Sequence, residues 1–381
     1  MTDVEQQRKS WRLKAKEVAK NVVALRAAEI DIKSEFPQDI VEAFFQEGIL
    51  NLLLPKEYGG GGADITSYCI VVEEVAYYCV TSSLLIVVQA VGSMPIVLGG
   101  GPDLKGYFLR NMTNENSLIA FCLTEPNAGS DSPSIRTKAV LKGDHYLING
   151  RKCFISNGGV SEFYTVFAKS DSRRRIDGIS AFIVERRSQG LSIGKTEDKM
   201  GIRGCNTTEV IFEDVKVPKG QRIGVEGEGF WLAMRTLNRS RPGIGAQAVG
   251  LAQGALDYVI RFGKEKNWFC DQNESNITKF MIAEMAIEIE AARALVYRAA
   301  SMIDEKVKGV VVEKFSAMSK YFAADVAMKV TTDAVQIMQW LGLLRDHPVE
   351  RMMRDAKITQ IYEGTNQIQR MVVAHSLLKG K

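Results

Sequence analysis

Histidine is scarce in this chain. There are three in 381 residues, and the six cysteines (Cys69, Cys79, Cys122, Cys153, Cys205, Cys270) form no CxxC pair or other metal-like spacing. No metal site is therefore expected, and reduced thiols in a cytoplasm are the simplest account of the cysteines. Long apolar runs are also missing. The richest, residues 84–88, is bounded by Ser83 and Gln89, well short of the roughly 20 residues that span a bilayer. It reads as a segment of a buried helix, and no membrane span is expected. The first residues, Met1-Thr2-Asp3-Val4-Glu5-Gln6-Gln7-Arg8, contain no apolar signal core. Charge of one sign is lacking as well. Lys and Arg number 49 against 45 Asp and Glu, for a net +4. Because the two signs are interleaved, nucleic acid is not expected as a partner. Arg173-Arg174-Arg175 reads as a solvated loop.

What is present is ordinary for a globular protein, with 46% hydrophobic and 25% charged residues. The length exceeds what one core usually holds, so two or three domains are expected. Three regions differ in period. Residues 1–116 read as helical, with apolar clusters such as Ile40-Val41-Ala43-Phe44-Phe45 separated by acids. The run Gly59-Gly60-Gly61-Gly62 interrupts them and reads as a turn, because no Lys-Ser or Lys-Thr follows to make a phosphate loop. Residues 117–225 change to short β-rich runs, with Asn149-Gly150 predicting a hairpin turn after Tyr146-Leu147-Ile148. Residues 226–381 return to the helical period. The fold class is thus α+β, in the order helical, β, helical.

Residues 351–370 carry the strongest chemical signal. They predict two helices broken at Tyr362-Glu363-Gly364-Thr365, with Thr365 or Asn366 as the N-cap of the second. Glu363 then lies on a loop between an aromatic and a glycine. Taken alone, this suits either a general base whose pKa is raised by burial or an ordinary exposed acid in a helix–turn–helix. Further segments stand out: Phe121-Cys122-Leu123-Thr124-Glu125-Pro126-Asn127-Ala128-Gly129-Ser130-Asp131 at the entrance to the β region, Lys152-Cys153-Phe154-Ile155-Ser156-Asn157-Gly158, Met200-Gly201-Ile202-Arg203-Gly204, and Leu237-Asn238-Arg239-Ser240-Arg241-Pro242.

Together, and in this order, these segments resemble the acyl-CoA dehydrogenases over nearly the whole chain. The resemblance implies an N-terminal helical domain, a small middle β-barrel or sandwich, and a C-terminal four-helix bundle. It implies FAD as cofactor, with Phe121, Cys122, Leu123 and Thr124 along the flavin and Ser130 at the substrate and cofactor. Phe154, Ile155 and Ser156 stand where the family usually has Trp-Ile-Thr, so Phe154 would cover a flavin face and Ser156 bond its ring. Thr365, Asn366 and Gln367 would meet the flavin from a helix start. Arg241 matches an arginine beside the catalytic acid, with Asn238 where an Asp is common, and both, with Gly364, would meet the substrate. Some members place their base just before that arginine. Here the position is Ser240, which leaves Glu363 as the α-proton base.

The adenine half of the cofactor site departs from the family. An Arg followed closely by Phe-Gly usually reaches the FAD pyrophosphate, whereas here Lys266 is nearest, in Lys264-Glu265-Lys266-Asn267-Trp268-Phe269-Cys270. The family's Gln-Ile-Leu-Gly-Gly becomes Gln336-Ile337-Met338-Gln339-Trp340. Loss of a guanidinium fork and of two glycines alters how a backbone meets a phosphate.

The implied reaction is α,β-dehydrogenation of an acyl-CoA thioester, or its reversal. The enolate oxygen would be held by the Glu363 backbone N–H and a ribityl hydroxyl of FAD. An electron-transfer flavoprotein is the implied electron acceptor, and a homotetramer (a dimer of dimers) the implied assembly. The competing expectation is a family member that binds FAD weakly and serves as a lyase, acyl-carrier binder or scaffold. Residues 88–95 resemble the stretch that lines the acyl pocket. They offer Gln89 and Ser93 but no charge, which predicts a short or medium neutral acyl group.

Overall fold

The computed structural model describes residues 2–268, 276–307 and 309–378. Phe269 and Cys270, in the altered adenine segment, lie outside the described residues. The first region is helical: α1 (Asp3–Val18), α2 (Ala24–Lys33), α3 (Gln38–Gln46), α4 (Ile65–Ala76), α5 (Val80–Gly99) and α6 (Pro102–Asn114). Residues 84–88 lie within α5, which is long and apolar enough to cross a membrane but is 94% buried inside the fold. It is a core helix. The glycine run after Lys56–Tyr58 is a plain turn, closed by Gly61 N donating to Asn51 O (3.0 Å) and Gly62 N to Leu54 O (2.9 Å).

Eight strands follow: β1 (Ile119–Cys122), β2 (Lys138–Lys142), β3 (His145–Ser156), β4 (Phe163–Lys169), β5 (Ile179–Glu185), β6 (Leu191–Thr196), β7 (Thr207–Pro218) and β8 (Arg222–Ile223). They form one mixed sheet in the order β6-β7-β3-β2-β4-β5-β8, with β1 parallel to β4. The hairpin predicted at Asn149-Gly150 does not occur there. β3 runs straight through that pair, and the turn falls instead at Gly143-Asp144, between β2 and β3. Asn149-Gly150 is a bulge against β7. A Cβ on Gly150 would come within 2.4 Å of Thr137 Oγ1, so only glycine lets the two chains close up. The Asn149 side chain is held across the bulge, donating to Asp214 Oδ1 (2.8 Å) and accepting from Asp214 N (2.9 Å).

The last region holds α7 (Gly229–Glu265), α8 (Asn276–Asp304), α9 (Val310–Met338), α10 (Pro348–Thr359) and α11 (Asn366–Leu378). α7 packs along α8, α9, α4 and α5, so one apolar core joins the N- and C-terminal helices. Pro242 sits inside α7 and cannot donate to the carbonyl of Asn238 four residues earlier. The Ser316 hydroxyl of α9 takes that acceptor at 2.7 Å and ties the two helices together where the functional residues lie.

Candidate active site

The chain leaves α10 at Thr359 and enters α11 at Asn366. Thr365 caps the second helix, its hydroxyl accepting from Ile368 N at 3.3 Å. In the connecting loop Glu363 has φ 50° and Gly364 φ 92°. A glutamate in the left-handed region is uncommon and persists only where the surroundings fix it. Here they do so through three donors. Arg241 Nε reaches the Glu363 carbonyl at 3.3 Å, Gln369 Nε2 reaches the carbonyls of Glu363 (3.3 Å) and Gly364 (2.9 Å), and Lys320 Nζ reaches Gly364 O at 2.8 Å.

The carboxylate is held on one side only. Ser240 Oγ donates to Glu363 Oε2 at 2.6 Å, while Oε1 is closed off from solvent and has no hydrogen-bond partner among the described residues. Burial of the carboxylate pushes its pKa up to about 7, against the pull of the Ser240 hydroxyl and of the Arg241 and Lys320 cations. Lys320 is completely buried, and burial drives its pKa down to about 7, with Glu363 opposing the fall. A second ammonium contact, to Asn366 Oδ1 (3.0 Å), continues to Asp325 through Asn366 Nδ2 (2.8 Å). Burial also lowers the Arg241 pKa, and its Nη1 donates to Asn238 Oδ1 at 2.7 Å. Glu363, Gly364, Asn238, Arg241 and Asn366 are thus brought together.

Behind the loop, the Tyr362 hydroxyl donates to Gln247 Oε1, and Gln247 Nε2 donates to Ser83 Oγ at 2.8 Å. Lys320, Gln247 and Gln369 were missed by sequence reasoning. For Lys320 a signal existed: it sits among small buried residues, Ser316, Ala317, Ser319, Ala323 and Ala324, where a solvated lysine has no place.

The residues assigned to the flavin ring lie in the β region. Cys153 N donates to the Thr124 carbonyl at 3.0 Å, which joins the 121–124 and 153–156 segments. A buried ion pair between Lys152 Nζ and Glu125 Oε1 (2.8 Å) fixes the same junction. Phe154, at φ 56°, turns its ring outward and is 63% exposed. Thr124 and Ser156 are half-buried, and neither hydroxyl has a protein partner among the described residues. An open aromatic face beside two free hydroxyls fits a flat, polar-edged ring such as a flavin. The side chains of Cys122 and Ile155 point into the β core, so they offer such a ring backbone only. Leu123 is buried, Phe121 is half-buried with its ring tilted against that of Phe167 at 4.9 Å, and Ser130 is exposed.

Gln339 and Trp340 line a hollow that contains no residue of the Glu363 cluster. This hollow, of about 300 Å³, is lined by Trp268, Thr278 and residues 337–341 and joins the end of α7 to the end of α9. Lys266 lies over the Phe262 ring at 5.7 Å, Trp340 is 66% exposed, and Gln336 and Gln367 face solvent. Hollows of about 330 and 420 Å³ along Tyr77 and Tyr78 share no residue with the Glu363 cluster. Gln89 and Ser93, expected to line an acyl pocket, are used internally. Gln89 bridges Ser117 O and Ile119 N, and Ser93 donates to Gln89 O, so both serve to fasten α5 to β1.

Family models for the N-terminal, middle and C-terminal domains of acyl-CoA dehydrogenases match residues 5–116, 120–215 and 227–378. A probable acyl-CoA dehydrogenase of Mycobacterium tuberculosis is 46% identical over 95% of this chain and 93% of its own length. The structure of butyryl-CoA dehydrogenase from Megasphaera elsdenii superposes with TM-score 0.93 and 38% identity, covering 99% of each chain. A chain in a structure of the electron transferring flavoprotein of Acidaminococcus fermentans gives TM-score 0.94 and 41% identity, covering 100% of this chain and 99% of that one. With all three domain models matched in order and relatives aligned almost end to end, the chain belongs to the acyl-CoA dehydrogenase family, whose members use FAD to dehydrogenate acyl-CoA thioesters.

Proposed function

We propose that Glu363 is the base that removes the α proton of the acyl-CoA. The supporting observation is the asymmetry of its carboxylate: Oε2 is held by Ser240, while Oε1 is closed off from solvent and unpaired among the described residues. A thioester makes its α proton weakly acidic, and a carboxylate with a pKa of about 7 accepts a proton with little mismatch at neutral pH. Ser240 aims the carboxylate. Arg241, Gln369 and Lys320 grip the loop carbonyls and hold the backbone in its left-handed turn. The Glu363 N–H donates no hydrogen bond within the protein among the described residues, which leaves it for the thioester oxygen as charge develops there. FAD, when bound, supplies the acceptor for the hydride that leaves the β carbon. Thr124, Phe154 and Ser156 would hold its ring, and Thr365, Asn366 and Gln367 would approach it from the α11 end.

Three further assignments belong to the same proposal. An electron-transfer flavoprotein is the electron acceptor, in keeping with the Acidaminococcus structure. The chain assembles as a homotetramer, in keeping with the exposed Trp340, Leu343, Met371 and Leu378 of the C-terminal region. It works in the cytoplasm. Glu363→Gln tests the central claim. It should fold and take up FAD, yet lose nearly all bleaching of flavin absorbance by acyl-CoA. Turnover within a few-fold of the parent would remove Glu363 from the role. Light scattering giving only 42.2 kDa, the mass of one chain, would rule out the assembly.

A further inference from the structure

α10 begins at Pro348, and its N-cap, His347, gives the helix no side-chain capping bond. The first N–H groups of a helix find no carbonyl within it, and they carry the positive end of its dipole. Here that end opens on a hollow of about 330 Å³ bounded by α2, the corner between α4 and α5, α7 and α10. Three guanidinium groups line it, those of Arg261, Arg345 and Arg351, and none of them forms an ion pair among the described residues. Of the acids there, Asp31 and Glu350 both hold Arg354, at 2.6 and 2.8 Å. That leaves the exposed Asp346 against three cations.

Arg351 is 7% exposed. Its Nη2 donates to Tyr78 O at 3.3 Å, but Nη1 has no partner among the described residues. Asp355, whose carboxyl feels that charge, accepts from Ile202 N instead. A buried guanidinium left half-satisfied is costly, and an anion in the hollow relieves it.

Aromatic rings supply the walls. Tyr77 and Tyr78 meet edge to face at 4.8 Å, and the Tyr77 hydroxyl donates to Asp257 Oδ2 at 3.0 Å. The Tyr258 hydroxyl and His347 Nδ1 share a hydrogen bond of 2.6 Å, with Arg261 over the Tyr258 ring at 5.3 Å. These bonds set the rings in place before anything binds, which lowers the entropy cost of binding. The hollow falls within the range of ligand clefts and is far roomier than one phosphate needs. The cations and the helix N-terminus suit phosphate oxygens, and the rings suit a flat base.

We propose that this hollow binds a free nucleoside diphosphate, its phosphates on Arg261, Arg345 and the α10 N-terminus beside the buried Arg351, and its base against Tyr77. The site shares no residue with the Glu363 cluster or with the hollow at Trp340.

The test titrates FAD-loaded enzyme with ADP by calorimetry, beside pyrophosphate as the probe that lacks a base. ADP should bind about tenfold or more tightly than pyrophosphate, the size of effect that one stacked base supplies. Arg261→Ala and Arg345→Ala change exposed side chains, and each should raise the Kd for ADP by about tenfold. Arg351→Lys keeps the buried charge but loses the fork, and should weaken binding as well. Tyr77→Phe should keep the preference for ADP over pyrophosphate, whereas Tyr77→Leu should erase it. If Arg351→Lys fails to fold, the two exposed arginines decide. No heat with ADP at about 1 mM overturns the proposal. Equal binding of pyrophosphate, or an unchanged Kd in the folded arginine variants, does the same. So does displacement of ADP by CoA, or release of flavin by ADP, since either places the nucleotide in the substrate or cofactor site.

Discussion

The buried ammonium of Lys320 donates to the carbonyl oxygen of Gly364 at 2.8 Å, one residue beyond the carboxylate whose charge it also faces. It is both a clamp on the loop and a counter-charge to the base. The two groups pull each other's titration in opposite directions. Cationic Lys320 draws the Glu363 pKa down from where burial alone would put it, and anionic Glu363 draws the Lys320 pKa up.

The pH dependence of kcat/KM should therefore show an acidic limb near pH 7, with activity lost as pH falls and Glu363 takes up its proton. Lys320→Met removes the cation and should move that limb to higher pH. A limb that stays in place, with FAD content unchanged, would mean that Lys320 acts only as packing. The effects on stability have opposite signs. Glu363, raised above its ordinary value, weakens the fold as pH rises from about 4.5 through about 7. Lys320, lowered, weakens it as pH falls from about 10.5 through about 7.

Ser240 Oγ and Glu363 Oε2 are 2.6 Å apart, so a side chain from α7 and one from the loop address the same point. Ser240→Glu combined with Glu363→Gly should restore part of the turnover that Glu363→Gly alone removes. No recovery in a folded, yellow double variant would show that the helix position cannot present a carboxylate to the α carbon.

Neutral acyl groups should be preferred to dicarboxylic ones. Between Ser82 and Met94 there is no Arg or Lys. A buried terminal carboxylate would thus remain unpaired, at a cost of about several kcal/mol. Butyryl-CoA against glutaryl-CoA in a dye-coupled assay decides the matter, and faster turnover of glutaryl-CoA refutes it.

FAD should be held more weakly than an arginine and two glycines would hold it, by about 1–2 kcal/mol or roughly tenfold in Kd. Titration of apo-protein with FAD should show tighter binding in Lys266→Arg. If the parent keeps full FAD through gel filtration and Trp340→Gly weakens binding, then the exposed Trp340 is itself a cofactor contact. A colourless protein that cannot be reconstituted would return the chain to the non-redox alternative.

The helical, β, helical order could be read from the change of period, because each region buries a face whose spacing its backbone dictates. The place of Glu363 on a loop could be read too, since the Gly-Thr pair after it marks a helix break and a new cap; its role as a base came only from the family resemblance. Asn149-Gly150 misled because its local turn preference was outweighed by the pairing of β3 with β7 on either side of it. Lys320 was overlooked by habit, a lysine on a helix being taken as solvated even among small neighbours. Gln89 and Ser93 were misplaced because polar side chains that satisfy backbone at a helix–strand junction look, in sequence, like pocket groups.

Gln339 ends α9 at φ 54° and ψ −136°, a backbone state comfortable only for glycine. Keeping a side chain there costs on the order of 1–3 kcal/mol that the rest of the fold must absorb. The corner is thus a reservoir of instability, and glycine, which ordinarily loosens a protein, should tighten this one. Gln339→Gly is expected to raise the melting temperature of the FAD-free chain by a few degrees.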